Sequence, residues 1–393
     1  MSYKLVICLA LGIASLNISA HSQHNPGQAA LSLDQHENGA ASETALPALS
    51  KTHPTNPDTL ARLGLLEARQ EHYPQAIVLY RKAMALNPAM PGLRLNLGLA
   101  LFKNGQYKQA NQIFIPLLKA QSPSSPERQR LTVLIGMSYY GRGEYQAAVP
   151  YLKHAADRDA QNLSLLLTLA HSCLLSKQYQ CVLDVYHRMV AQNAESAQVD
   201  MLVGEALDEM SDPIGATREF RAAVQANPKE PNVHFGLGYL LWTQLQYEEA
   251  SQEFQAELEN NPGYAQALLY LADADIKMGR NEDARILLER VVKSHPAISM
   301  GHLDLGIVYA EANQKEEALR QFKMAAALKP DDENVHMRLG RLLRSMGNPG
   351  EAKSEFDKVR NLNRASHEAL ITVMSTASPK SSTSKENRMS NSY

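Results

Sequence analysis

The sequence predicts an all-α solenoid of stacked helical hairpins, and three observations carry that prediction. The first is a small residue recurring at Gly64, Gly98, Gly136, Ala170, Gly204, Gly238, Ala272, Gly306 and Gly340, every interval being 34 residues except the 38 between Gly98 and Gly136. The second is a pair of positions locked to it. Twelve residues on stand Ala76, Ala110, Ala148, Val182, Ala216, Ala250, Ala284, Ala318 and Ala352, and four further on come Tyr80, Phe114, Leu152, Tyr186, Phe220, Phe254, Leu288, Phe322 and Phe356. The third is a proline on one shared spacing, at Pro88, Pro228, Pro262, Pro296 and Pro330. A unit this short cannot bury its apolar face alone, so it must stack on its neighbours.

Residues 1–20, MSYKLVICLALGIASLNISA, place Lys4 before an apolar stretch from Leu5 to Leu16 and close on small or polar residues. That is the pattern of a secretory signal peptide, with cleavage expected after Ala20, and the stretch is shorter than the ~20 apolar residues that span a bilayer. Cys8 lacks the small residues before it that a lipid-attachment site needs. Residues 21–56 show no periodicity and read as a disordered leader rich in Ser, Ala, Asn, His, Pro and Gly. Its histidines (His21, His24, His36, His53) have no Cys or carboxylate at ligand spacing, so no metal site is expected.

The repeats occupy residues 57–366, as 57–90, 91–124, 129–162, 163–196, 197–230, 231–264, 265–298, 299–332 and 333–366. Between the small residue and the Ala there is room for the end of one helix and a tight turn, marked by Gly105, Gly143, Gly279 and Gly347. Pro213 and Pro349 stand where a second helix starts, a place that tolerates the missing N–H. The Ala and the large residue four later share one face of that second helix. Residues 163–196 form the weakest copy, with Ala170, Val182 and Met189 in the small-residue places and no closing Pro. SPSSP at 122–126 adds four residues, and Pro116 falls inside a second helix, so an irregular joint is expected near residues 115–128. Residues 367–374 (HEALITVM) could form a short capping helix, and 375–393 reads as a disordered tail.

These units resemble tetratricopeptide repeats in length and in their small-residue, Ala, aromatic and Pro pattern. The family's Trp position holds Leu60, Arg94, His234, Leu268 and others here. The resemblance implies a right-handed superhelix whose first helices line a concave groove that binds peptides. Carried onto this chain, it places Met137, Tyr140 and His171 in the groove, then Glu205, Asp208 and Glu209, then Phe235, Tyr239 and Trp242, and finally Arg338, Arg341 and Arg344 at i, i+3 spacing. An aromatic centre for apolar anchors and a cationic end for an acidic segment are the expectation; ordinary fill and solvation of the coil is the alternative. The family's carboxylate clamp is not supported, because only Asn96 matches it while Ala61 and Leu65 occupy the Lys and Asn places.

Lys plus Arg number 39 against 41 Asp plus Glu, so the formal charge of −2 offers no global surplus for displacing phosphate counterions, and no nucleic-acid partner is expected. No catalytic site and no cofactor are expected either. Gly136 to Gly141 is one residue off a G-x-S-x-G elbow and lies in a helix, Gly236 and Gly238 lack the third Gly of a dinucleotide fingerprint, and His295-Pro296-Ala297 lacks the Asp of an HPD tripeptide. Cys173 and Cys181 lie at equal distances from Lys177 at a hairpin turn; in an oxidising compartment they could pair, or remain two free thiols. The expected function is an exported, non-enzymatic scaffold, periplasmic or extracellular, that binds a protein or peptide without spanning the membrane. An assembly factor for an envelope machine (pilus, secretion or polysaccharide export) is the first alternative and a regulatory subunit of an enzyme the second. The sequence does not give the oligomeric state.

Overall fold

The structure is a computed structural model that describes residues 56–376 apart from 195. The signal segment, most of the leader and nearly all of the tail expected above lie outside the described residues. Eighteen helices and no strand occur among the described residues, which makes the fold all-α. In order they are α1 (Pro57–Arg69), α2 (Tyr73–Leu86), α3 (Leu93–Lys103), α4 (Tyr107–Ala120), α5 (Pro126–Gly141), α6 (Tyr145–Arg158), α7 (Leu163–Leu175), α8 (Tyr179–Val190), α9 (Ala197–Glu209), α10 (Pro213–Ala226), α11 (Val233–Thr243), α12 (Tyr247–Asn260), α13 (Ala265–Lys277), α14 (Asn281–Ser294), α15 (Ser299–Glu311), α16 (Lys315–Leu328), α17 (Glu333–Ser345) and α18 (Pro349–Thr376). They divide into two compact units, residues 1–237 and 238–393, the division falling inside α11.

Each odd-numbered helix and the even-numbered one after it are joined by a turn with one left-handed residue. These residues are Glu71, Gly105, Gly143, Lys177, Ser211, Leu245, Gly279, Asn313 and Gly347, with φ between 58° and 82°. Glycine adopts that conformation freely, whereas the other residues carry the steric cost of a Cβ in it. The recurring small residue has a different cause, close approach. A Cβ built on Gly204 would lie 2.5 Å from the Phe220 ring, and one on Gly306 2.6 Å from the Phe322 ring. In six of the nine repeats, these two included, the ring of the second helix therefore rests on the bare backbone of a first-helix glycine; Gly136 faces Leu152 instead, and Ala170 and Ala272 take the glycine's place in the other two.

In the first unit one core runs from Leu60 through Tyr80 and Phe114 to Ile135, and another from Ala148 through Leu169 to Ala206. The second unit has one core around Leu268, Leu288 and Val308 and another around Phe322, Leu339 and Leu343.

Two expectations meet the helix bounds as follows. At the irregular joint expected near residues 115–128, α4 continues through Pro116 to Ala120, and α5 has 16 residues where α1 has 13. The insertion is taken up as added helix at the start of α5, capped by Ser125 Oγ accepting from the Arg128 N–H at 3.1 Å. Arg128 Nη1 reaches back to the Leu118 and Gln121 carbonyls at 3.2 and 3.3 Å, supplying donors at the end of α4, and Phe114 and Leu131 share one core across the junction. Likewise residues 367–374 are no separate capping helix. They continue α18, because no Gly or Pro follows Gly350 before Thr376, and Arg364 stands where the earlier repeats place their proline.

Candidate partner-binding faces

In the first unit, the last turn of α5 reaches across to α7. Tyr140 Oη and His171 Nδ1 share a hydrogen bond of 2.7 Å, and the Tyr145 ring lies 5.7 Å from Tyr140 and 6.0 Å from His171. Burial lowers the His171 pKa; burial and then Tyr145 raise that of Tyr140. Met137 is half-buried against the core beside them. Of the predicted residues, Tyr140 and His171 are thus brought together as one aromatic contact.

Helix α9 carries Glu205, Asp208 and Glu209 on one side. Glu205 Oε1 is buried with no hydrogen-bond partner, and burial, followed by Asp208 and Glu209, pushes its pKa up to about 8. Tyr179 Oη donates to Glu209 Oε2 at 3.3 Å. Asp208 and Glu209 thus act on Glu205 as like charges on this side of the helix.

The second unit repeats the lateral contact with different chemistry. Trp242 Nε1 in α11 donates to Asp273 Oδ2 in α13 at 2.8 Å, a separation of 31 residues as in the Tyr140 and His171 pair. The Trp242 and Tyr270 rings meet edge to face at 5.2 Å, and Tyr239 packs on both. The aromatic expectation needs correction, however: Tyr239 is 6% exposed and, in the first unit, Phe235 is 2% exposed. Both rings are core, their apolar area covered by neighbouring side chains. Trp242 remains partly exposed.

The three arginines of α17 do not converge. Arg338 is half-buried with Nε donating to Asn334 Oδ1 at 3.2 Å, Arg344 lies 5.7 Å over the Phe356 ring, and Arg341 is exposed. Spacing of i, i+3 aligned their Cα positions, but long side chains go to whatever partner is near.

Two features escaped the sequence reading. His302 replaces the family's Trp, and its ring bridges Gln321 Oε1 (2.7 Å) and the Pro296 carbonyl (3.0 Å). His336, 34 residues later, does the same with Glu355 Oε2 (2.5 Å) and the Pro330 carbonyl (2.9 Å). Burial would raise the Glu355 pKa, but hydrogen bonds from Lys358 and His336 outweigh it and hold it low. The equal 34-residue offsets of all three members were the available signal. The second feature is Asp304, buried in α15 with Oδ2 lacking a hydrogen-bond partner. Cys173 in α7 and Cys181 in α8 are joined by a disulfide, Cα–Cα 5.8 Å. Among the described residues no group of three or more His, Cys, Asp or Glu could hold a metal ion, and no helix is long and apolar enough to cross a membrane.

Comparison with known proteins gives a consistent family. Two tetratricopeptide-repeat models match, one over residues 139–206 and 246–300, the other over 95–162 and 201–265. A third, described as "Surface lipoprotein assembly modifier, N-terminal TPR repeats", matches residues 35–114. Among curated relatives, the anaphase-promoting complex subunit 7 of Arabidopsis thaliana is 25% identical over 304 residues, covering 76% of this chain and 52% of that protein. The CTR9 homologue of the same plant is 23% identical over 319 residues, covering 79% and 26%. The chain spans about half, or less, of the length of these relatives. Among solved structures, MamA of Desulfovibrio magneticus RS-1 is 22% identical with a TM-score of 0.41, covering 43% of this chain and 96% of that one. The Cut9–Hcn1 hetero-tetramer of the APC/C is 16% identical with a TM-score of 0.46, covering 84% and 65%.

Proposed function

The chain belongs to the tetratricopeptide-repeat proteins, and from that premise we propose that it is a non-enzymatic scaffold, exported to a bacterial envelope, whose first helices hold a peptide segment or partner domain. The observation that carries this reading is the lateral pairing of successive first helices, Tyr140 with His171 in one unit and Trp242 with Asp273 in the other. Side chains already fixed by such contacts lose little freedom on binding, so a surface built from them is preorganised. The acidic side of α9 in the first unit and the exposed Arg341 of α17 in the second give each unit its own charge preference. Export is supported by the composition of residues 1–20 and by the Cys173–Cys181 disulfide, a bond that persists in oxidising compartments.

A second reading, an assembly factor of an envelope machine, is favoured by the match of residues 35–114 to repeats of a surface lipoprotein assembly modifier. It requires a fixed multi-protein partner. Pull-down from membrane extracts distinguishes the two, a single stoichiometric set of proteins indicating the assembly factor and a varied set of peptides the general binder. The shared premise is tested by a photoreactive residue at Trp242 in α11, with Gln255, exposed on α12, as the control. Partner adducts from position 242 are expected; adducts from 255 alone would contradict the first-helix reading.

A further inference from the structure

We propose that Asp273 and Asp304 form an acceptor for a guanidinium or ammonium side chain of the bound partner, entering beside Trp242 and Tyr270. This deepens the scaffold reading and rests on it, since the cation would arrive on the segment held by the first helices. The two carboxylates stand on successive first helices, α13 and α15. Asp273 is already oriented: Oδ2 accepts from Trp242 Nε1 at 2.8 Å, and Oδ1 lies 3.9 Å from Lys277 Nζ.

Asp304 is the anomaly. It is 7% exposed and its Oδ2 has no hydrogen-bond partner, so the carboxyl bears a desolvation cost that no hydrogen bond to that oxygen offsets. The charged groups facing it are Asp273 and Lys277 from α13 and Arg338 from α17. Burial, then Asp273, raise its pKa to about 7 against the pull of Arg338 and Lys277. Neither base donates a hydrogen bond to it. Arg338 Nε is engaged by Asn334 Oδ1 at 3.2 Å, and Lys277 lies by Asp273. Oδ2 is closed to solvent in the unbound chain, so filling the site includes a turn of the Asp304 side chain, after which an incoming guanidinium supplies the missing donor in a fork that fits carboxylate oxygens. The partly exposed Trp242 ring beside Asp273 offers the cation a π face. Acceptance by Asp304 requires its ionised form, so the site releases a proton as it fills and binds more tightly as pH rises through 7.

Trp242 is the single tryptophan, so its emission reports directly on the site. The full chain is titrated with blocked alanine heptapeptides bearing two Arg, two Gln or two Glu residues. The Arg peptide should shift Trp242 emission saturably and bind roughly tenfold more tightly at pH 8 than at pH 6, the change in ionised fraction for a group titrating near 7. Asp304→Asn, nearly isosteric, should lose at least about tenfold in affinity together with the pH dependence, its far-ultraviolet circular dichroism unchanged. Asp273→Asn provides a second reading should Asp304→Asn not fold. Equal shifts from the Gln or Glu peptides, or wild-type affinity in Asp304→Asn, would overturn the proposal. So would Arg-peptide binding seen only after Arg338→Met, because Arg338 would then itself occupy the pair. Crosslinking at 242 with no Arg-peptide response discards this inference and leaves the scaffold reading standing; failure of both discards the reading too.

Discussion

Gly306→Ala probes the contact that repeats along the chain. The added Cβ would lie 2.6 Å from two carbons of the Phe322 ring, about 1 Å inside ordinary carbon contact. Phe322 is 2% exposed and packs among Leu303, Ala318 and Leu339, so the ring has no free space to rotate into. Overpacking of this kind costs about 3 kcal/mol at the upper end, and the helix propensity gained from Ala returns about 1, leaving a net loss of about 2 kcal/mol. The chain contains its own control: Ala272 in α13 occupies the same place, and its ring position holds Leu288, both fully buried. In a Phe322→Leu background, Gly306→Ala should therefore become neutral or stabilising, a coupling of about 2 kcal/mol. Gly350, with open space around its Cβ direction, should tolerate Ala without loss. Urea unfolding followed by Trp242 emission and circular dichroism measures all four proteins of the cycle. A loss under about 0.5 kcal/mol in the single variant, or additivity in the double, would refute the close-contact explanation of the 34-residue pattern.

Three further outcomes follow from other sites. Glu205 binds a proton in the folded state up to about pH 8 but in the unfolded chain only near the ordinary carboxyl value of 4.5, so stability should fall as pH rises from 5 to 8.5. Glu205→Gln should flatten that fall by a few kcal/mol at most, read from urea midpoints; a parallel pH profile would show that Glu205 ionises freely. Leu245 holds φ 64° at a turn where other repeats use Gly, and its side chain is 70% exposed, so Leu245→Gly should stabilise by about 1 kcal/mol in the same assay. Reducing Cys173–Cys181, which closes a loop with a sequence separation of 8, should cost about 2.6 kcal/mol of chain-entropy stabilisation; an unchanged melt in reductant would show that the bridge contributes nothing.

The fold was legible because each of its requirements recurs. Gly204 with Phe220 and Gly306 with Phe322 need the same closeness, as do four further glycine and ring pairs, and a need repeated at one spacing stands out in the chain itself. The turn residue was half legible: Gly105 and Gly143 announce it, whereas Glu71 and Lys177 adopt the same left-handed backbone without any compositional sign. Sites were harder to read, because they depend on which neighbour a side chain finds. Tyr140 and His171 meet in a hydrogen bond that their repeat positions did not announce, while Arg344 turns to Phe356 and Arg338 to Asn334. Phe235 was misread because the frame gives position and not depth of burial. The insertion at 122–126 resembled a break in the linear pattern, yet an N-cap Ser followed by Pro and Glu is a helix start, and that local chemistry prevailed.

The central claim is that partners meet the first helices and not the second. It is tested most directly by placing a photoreactive residue at one exposed position of each helix in turn and measuring adducts with envelope proteins. The account predicts adducts from odd-numbered helices and little from even-numbered ones, alternating along the chain. Equal yields from both sets, or adducts confined to the even-numbered helices, would contradict it.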